Sequence, residues 1–226
     1  MNLEDQWGAL MYVPQPVRRR VPWEDPELSG WAGFFRTLRE IMVHPEEFFG
    51  NLGPGGWAEP LAFALIVSTI GLLFTLFWHL VILAGGPPGE TAELVYSLDL
   101  KPVALLGFMA AAPLLVLIDL TVGALCWWGS VALAGAGREF TPAWRIFCYA
   151  HGVLILGFIP FLGMLVAGIW ALVLLYIGAK KTLALPVLRS LGVLTIFITF
   201  QVVLGIIFLL GLVAGLVGLG FLTLLS

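Results

Sequence analysis

Apolar positions along this chain follow two different patterns. Between residues 30 and 43, Trp31, Phe34, Phe35, Leu38, Ile41 and Met42 recur at three- and four-residue intervals, with Arg36, Arg39 and Glu40 on the other side. That spacing predicts an amphipathic helix, and Ser29 is placed to cap it. An apolar aromatic face opposite basic residues suits a helix lying in a membrane interface. A helix packed on the ends of a bundle would bury the same face, so both readings stand. From about residue 58 the pattern changes to long runs that are apolar on every side, and about 20 such residues suffice to cross a bilayer.

These runs predict five transmembrane helices, at about 59–84, 102–134, 142–159, 161–179 and 191–225. Trp57 and Trp78 sit near the ends of the first, as interfacial aromatics do. Before it, Pro45 restarts a short helix with Glu46 and Glu47 in its favourable first turn. The second span is long enough to tilt, protrude or kink at Pro113. Spans three and four form a hairpin about Ile159-Pro160-Phe161-Leu162-Gly163, with Pro160 and Gly163 making the corner and Thr141-Pro142 starting the first arm. The last run is read as one crossing with an overrun, because a break near Gly211 would leave only about 14 residues for another. A crossing plus a re-entrant piece is the alternative. Residues 1–28 carry Pro14, Pro16, Pro22 and Pro26 without periodicity and read as an extended or poorly ordered, flexible cytoplasmic arm. The chain thus divides into an arm (1–28), interfacial helices (29–57) and a five-span domain (58–226).

Composition supports that class. The residues are 60% hydrophobic and 11% charged, and the mean hydropathy is +1.02. Soluble domains carry about 25% charged residues, so an all-α integral membrane protein is expected. No apolar signal segment precedes the polar arm, so a cleavable leader is not expected. Basic residues then set the topology. Apart from Lys101, every Lys and Arg lies before span one, between spans two and three or at the start of span three, or around the end of span four. The positive-inside rule places the N-terminus in the cytoplasm and the C-terminus outside. No basic tract is large enough for nucleic acid.

Few residues carry chemistry. Asp119 is an acid inside a span, which costs at least about 2.5 kcal/mol at the centre and demands a partner. Counting from span centres puts Asp119, His151 and Gln201 at one depth. They make either a midplane ion, proton or substrate site or a structural network that fixes helix register. Trp144, Arg145 and Tyr149 open span three. They read as an interfacial belt with a snorkelling arginine, or as a lipid or partner contact. Arg18, Arg19 and Arg20, with Arg36 and Arg39, suit anionic lipid or serve as a topology signal. Gly211 and Gly215 would admit another helix, from a second copy or another membrane protein. Cys126 and Cys148 read as small core residues. No metal-ligand, nucleophile or phosphate-loop pattern occurs, so neither an enzyme nor a cofactor is expected.

The order of several short motifs resembles bacterial members of the Ypt-interacting-protein (Yip) domain family. These are Pro45-Glu46-Glu47-Phe48-Phe49, Glu59-Pro60-Leu61-Ala62-Phe63, the stretch from Ala143 to Ala150, Ile159 to Gly163, Ile169-Trp170-Ala171-Leu172 and Ile177-Gly178. The resemblance covers about residues 31–210. It implies a five-span bundle in a bacterial inner membrane, whose bacterial relatives have no assigned biochemical role. The family's eukaryotic members are associated with small GTPases, but their Asp-Leu-Tyr-Gly-Pro type signature is absent before span one, so that partner is not carried over. The expected function is a membrane organiser or adaptor for proteins or lipids. The alternative is a small-solute or proton-coupled transporter using Asp119 and His151.

Overall fold

The structure is a computed structural model and describes residues 20–85, 102–137 and 139–225. Among them every regular element is helical. The α-helices are α1 (Gly30–Val43), α2 (Pro45–Asn51), α3 (Ala58–Gly85), α4 (Pro102–Leu133), α5 (Phe140–Ala150), α6 (Gly163–Lys181) and α7 (Val187–Leu225). Two 3-10 segments, Pro22–Glu24 and His151–Phe158, complete the described elements. Four of the helices, α3, α4, α6 and α7, are long and apolar enough to cross a membrane.

The local signals act as their chemistry dictates. The Ser29 hydroxyl accepts from the Ala32 amide at 3.3 Å and caps α1. Pro45 starts α2, with Glu46 and Glu47 in the first turn. After α4, Gly135 takes a left-handed φ of +66°. The Ala136 amide then donates to the Val131 carbonyl, and the Gly135 amide to that of Ala132. This pair of hydrogen bonds is the Schellman stop, which a glycine adopts at little cost. It turns the chain directly into α5. At the far corner Phe161 carries the positive φ, +64°, between Pro160 and Gly163.

Two expectations need correction. The segment 142–159 is not one α-helix. It is the 11-residue α5 followed by an eight-residue 3-10 helix. Runs of 3-10 longer than three or four residues are uncommon, since their hydrogen bonds are poorer. Packing explains this one. A Cβ on Gly71 would collide with the Leu154 carbonyl, and one on Gly157 would lie 2.5 Å from the Gly71 carbonyl. The narrow 3-10 coil and two glycines thus bring backbone against backbone. The tighter coil also rises about 0.5 Å more per residue than an α-helix, so the eight residues add about 4 Å of length. The segment runs alongside α3: the Trp144 indole donates to the Trp57 carbonyl, and the Trp78 indole donates to the Phe158 carbonyl, both at 2.9 Å.

The second correction concerns the N-terminal arm. Residues 1–19, with Arg18 and Arg19, lie outside the described residues. From residue 21, however, the chain is packed: Val21 and Pro22 are buried. The Trp23 amide donates to Thr37 Oγ1 at 2.8 Å, and its indole to the Glu59 carbonyl at 2.7 Å. Gly33 makes room, since a Cβ there would lie 2.5 Å from the Pro22 carbonyl. Trp23, Phe34 and Phe63 form a cluster with centroids 5.5 to 6.1 Å apart.

The core centres on α5, whose residues from Ala143 to Ala150 are all buried. Helix α7 is continuous through Gly211, without a break. It joins the bundle through Phe197, which meets Trp127 and Phe147 edge-on.

Candidate functional site

Three polar regions stand out. The first joins the N-terminal segment to α5. Arg145, 2% exposed, forms an ion pair with Glu24 at 2.8 Å. Its Nη2 donates to Glu24 at 3.0 Å, and its Nη1 to the Gly56 carbonyl at 3.1 Å. The Tyr149 hydroxyl donates to the other Glu24 oxygen at 2.5 Å, and the Arg145 guanidinium lies 5.8 Å from the Tyr149 ring centroid. Gly55 is required beside it, because a Cβ there would collide with the guanidinium. Trp144, Arg145 and Tyr149 are therefore an internal clamp and not a surface belt: each is buried. Burying a guanidinium is tolerable only with a carboxylate and further acceptors around it; Glu24 and Gly56 supply them to its two terminal nitrogens, while Nε has no partner among the described residues. A separate tie holds α2 to the end of α6. Lys181 meets Glu46 at 2.8 Å, and the Thr182 hydroxyl donates to the Phe49 carbonyl at 2.7 Å. The hydrogen bond and charge of Lys181 hold the Glu46 carboxyl below its ordinary value.

The second region is a cavity of about 250 Å³ on the same end of the bundle, bordered by Arg20, Arg36, Arg39 and His44 together with Glu40 and Glu47. Of the basic residues expected at an interface, three thus converge on one opening. Arg36 also pairs with Glu40 at 3.4 Å, one helical turn away. On the adjoining side of α1, Trp31 and Phe35 stack on each other while 74% and 60% exposed. At about 100° per residue, α1 has three sides: Gly33, Phe34, Thr37 and Ile41 inward, Trp31 and Phe35 outward, and Arg36, Arg39 and Glu40 around the cavity.

The third region lies deep among the spans. Asp119 of α4 is exposed and borders a cavity of about 290 Å³ with Ser68 of α3. The remaining wall is apolar, with Leu72, Phe108, Leu115 and Met164 among it. Asp119 is close enough to His151 to act on it electrostatically, yet no ion pair within 4 Å joins them. His151 Nδ1 lies 2.9 Å from the Phe147 carbonyl; a carbonyl only accepts, so that nitrogen carries the proton. Gln201 is exposed on α7, and no hydrogen bond links it to either residue. No hydrogen bond or ion pair within 4 Å joins any two of the three expected residues, and Asp119 has no such partner among the described residues.

Of the remaining expectations, Pro160 and Gly163 do form the corner, and Gly163 is needed because a Cβ would collide with the Leu156 carbonyl. Among the described residues, nothing lies within 4 Å of a Cβ on Gly211 or Gly215, so no described helix packs against them. Cys148 is buried and Cys126 partly so, neither in a disulfide. Among the described residues no group of three or more His, Cys, Asp or Glu could hold a metal ion. Sequence reasoning missed Glu24 and Ser68. Glu24 stood in a segment without periodicity, and Ser68 is one hydroxyl in an apolar run. No family model, curated protein or solved structure matches the chain.

Proposed function

We propose that this protein is a non-catalytic organiser of a bacterial inner membrane. Five crossings carry a fixed cytoplasmic platform, residues 20–57, that engages anionic lipid headgroups and positions other membrane proteins beside them. The observation that carries this reading is the three-sided α1. Its inward face is anchored, its Trp31 and Phe35 side is apolar and exposed, and its Arg36 and Arg39 side borders the basic cavity with Arg20. An interfacial helix needs an apolar side to enter the headgroup boundary and a basic side to meet anionic lipid. The Yip-like order of motifs supports the organiser class. Five crossings are supported by the α5 and 3-10 segment, which keeps contact with α3 from Trp57 to Trp78. The basic cavity then lies on the cytoplasmic side by the positive-inside rule.

Lipid retention measured by native mass spectrometry of the full chain tests this. Each basic residue near a membrane surface contributes about 1 kcal/mol toward anionic lipid. The protein is expected to keep phosphatidylglycerol in preference to phosphatidylcholine, and the triple variant Arg20→Gln, Arg36→Gln, Arg39→Gln to lose that preference. Equal retention by wild type and variant would refute the platform.

One observation favours a second reading, transport of a small solute or of protons through Asp119 and His151: the carboxylate is exposed on a cavity. Uptake into proteoliposomes that ceases in Asp119→Asn would support it, and the absence of uptake by wild type would end it.

A further inference from the structure

We infer that the cavity between α3 and α4 is a binding site for a lipophilic amine, held by its ammonium against Asp119 with its apolar body between the helices. The inference stands on the cavity alone and is independent of the organiser reading, so each can fail without the other.

Four observations point to this class of ligand. Asp119 is a carboxylate without a hydrogen bond or ion pair to any described residue, and His151 is beyond ion-pair distance. A ligand group that completes it is a hydrogen-bond donor, and a cationic donor also neutralises its charge. Ser68 offers the second polar contact: its Oγ is buried, the residue is only 5% exposed, and the hydroxyl has no partner. Buried polar atoms in folded proteins are nearly always paired, so an orphan hydroxyl on the wall of a cavity marks a place for a ligand atom. The remaining wall is apolar, which excludes hydrated metal ions and sugars and favours a hydrocarbon body. Phe108, Leu115 and Met164, all exposed, leave an opening on the apolar outer surface of the helices. A molecule already dissolved in the hydrocarbon would enter there without crossing water.

Size narrows the class further. A cavity of about 150 Å³ accommodates benzene. At about 290 Å³ this one matches a two-ring or equally bulky aliphatic body bearing one amine. The amine nitrogen donates to Asp119. Rotation of the Ser68 side chain about χ1 would turn its oxygen toward a second hydrogen on the same nitrogen.

The test uses the full chain in nanodiscs of uncharged phosphatidylcholine, titrated with 1-naphthylmethylamine and, as a shape control, 1-naphthylmethanol. Naphthalene fluorescence reports both. The amine is expected to bind saturably and at least about tenfold more tightly than the alcohol. Asp119→Asn, an exposed and nearly isosteric change, should bring that ratio to about one while leaving alcohol binding in place. Leu115→Trp should fill the cavity and abolish saturable binding of both. A ratio near one in wild type overturns the inference, as does a ratio unchanged in Asp119→Asn. Saturable binding that survives Leu115→Trp places the ligand elsewhere and overturns it too.

Discussion

Glu24 and Arg145 are 121 positions apart in sequence and meet at 2.8 Å, closing the N-terminal segment over the start of α5. Tyr149, one turn further along α5, binds the same carboxylate. Glu24 thus joins the two Trp23 hydrogen bonds in holding the N-terminal segment, whose Arg20 and Val21 complete the wall of the basic cavity.

Removing that acid should loosen the platform before the spans. Glu24→Ala leaves the buried guanidinium without its counter-charge, and breaking a buried pair on one side costs about 3–5 kcal/mol. Glu24 is partly exposed, at 16% of its side chain, so a loss nearer about 2–3 kcal/mol is expected. Thermal unfolding in detergent should shift downward, and limited proteolysis should gain a cut between residues 21 and 29. Replacing both partners, Glu24→Met with Arg145→Met, should cost less than either change alone. Additive losses in that double variant would contradict the clamp.

Backbone contact at the 3-10 helix makes Gly71 intolerant. Gly71→Ala places a methyl group against the Leu154 carbonyl, and backbone cannot swing aside as a side chain does. Overpacking of this kind costs about 1–3 kcal/mol. Gly211→Ala, where nothing lies within 4 Å, should be neutral or stabilising by up to about 1 kcal/mol. Denaturant or thermal melts of the two variants compare them directly. Equal stability would show that the close approach is relaxed in solution.

The Lys181 tie gives a small acid-sensitive contribution. Its hydrogen bond and charge depress the Glu46 carboxyl in the folded state. A depressed acid stabilises the fold above its unfolded value and loses that contribution as pH falls through the folded value. Stability measured from pH 7 down to pH 3 should therefore fall slightly less steeply in Glu46→Gln than in wild type. Glu46 is exposed, so the difference should also shrink in high salt. A salt-independent difference would show that Glu46 acts otherwise.

The proposed five crossings put the two ends of the chain on opposite sides. Alkaline phosphatase fused after Ser226 should be active in a bacterial host, since it folds only outside the cytoplasm, and the same reporter inserted after Gly135 should be inactive. Activity at both sites, or at neither, would overturn the topology.

Much of this molecule was legible from local pattern. The α1 periodicity, the Ser29 cap, the Pro45 start, the four long apolar helices and the Pro160–Gly163 corner each depend on residues a few positions apart. Their physics is local: helical spacing, end capping and the cost of polar backbone in hydrocarbon. Depth counting put Asp119, His151 and Gln201 at one height, because height along a span is a count of residues. It could not give rotation about the helix axis, and so it grouped Gln201 with them although that side chain faces outward.

What only the tertiary structure decided depends on contacts far apart in sequence. Trp144, Arg145 and Tyr149 look like an interfacial belt until Glu24 is seen beside them. Once an acid and a carbonyl replace water around a guanidinium, the side chain can be buried, and no local pattern reports such a partner. The 3-10 helix is of the same kind. Residues 151–158 read as ordinary apolar helix. Their tighter coil follows from Gly71 and Gly157, which let two backbones touch. The sequence by itself determined which segments are apolar enough to cross a membrane, because that is a sum over neighbouring residues. Which polar side chains are clamped and which stand open on a cavity was decided by packing, because that depends on what the other helices place against them.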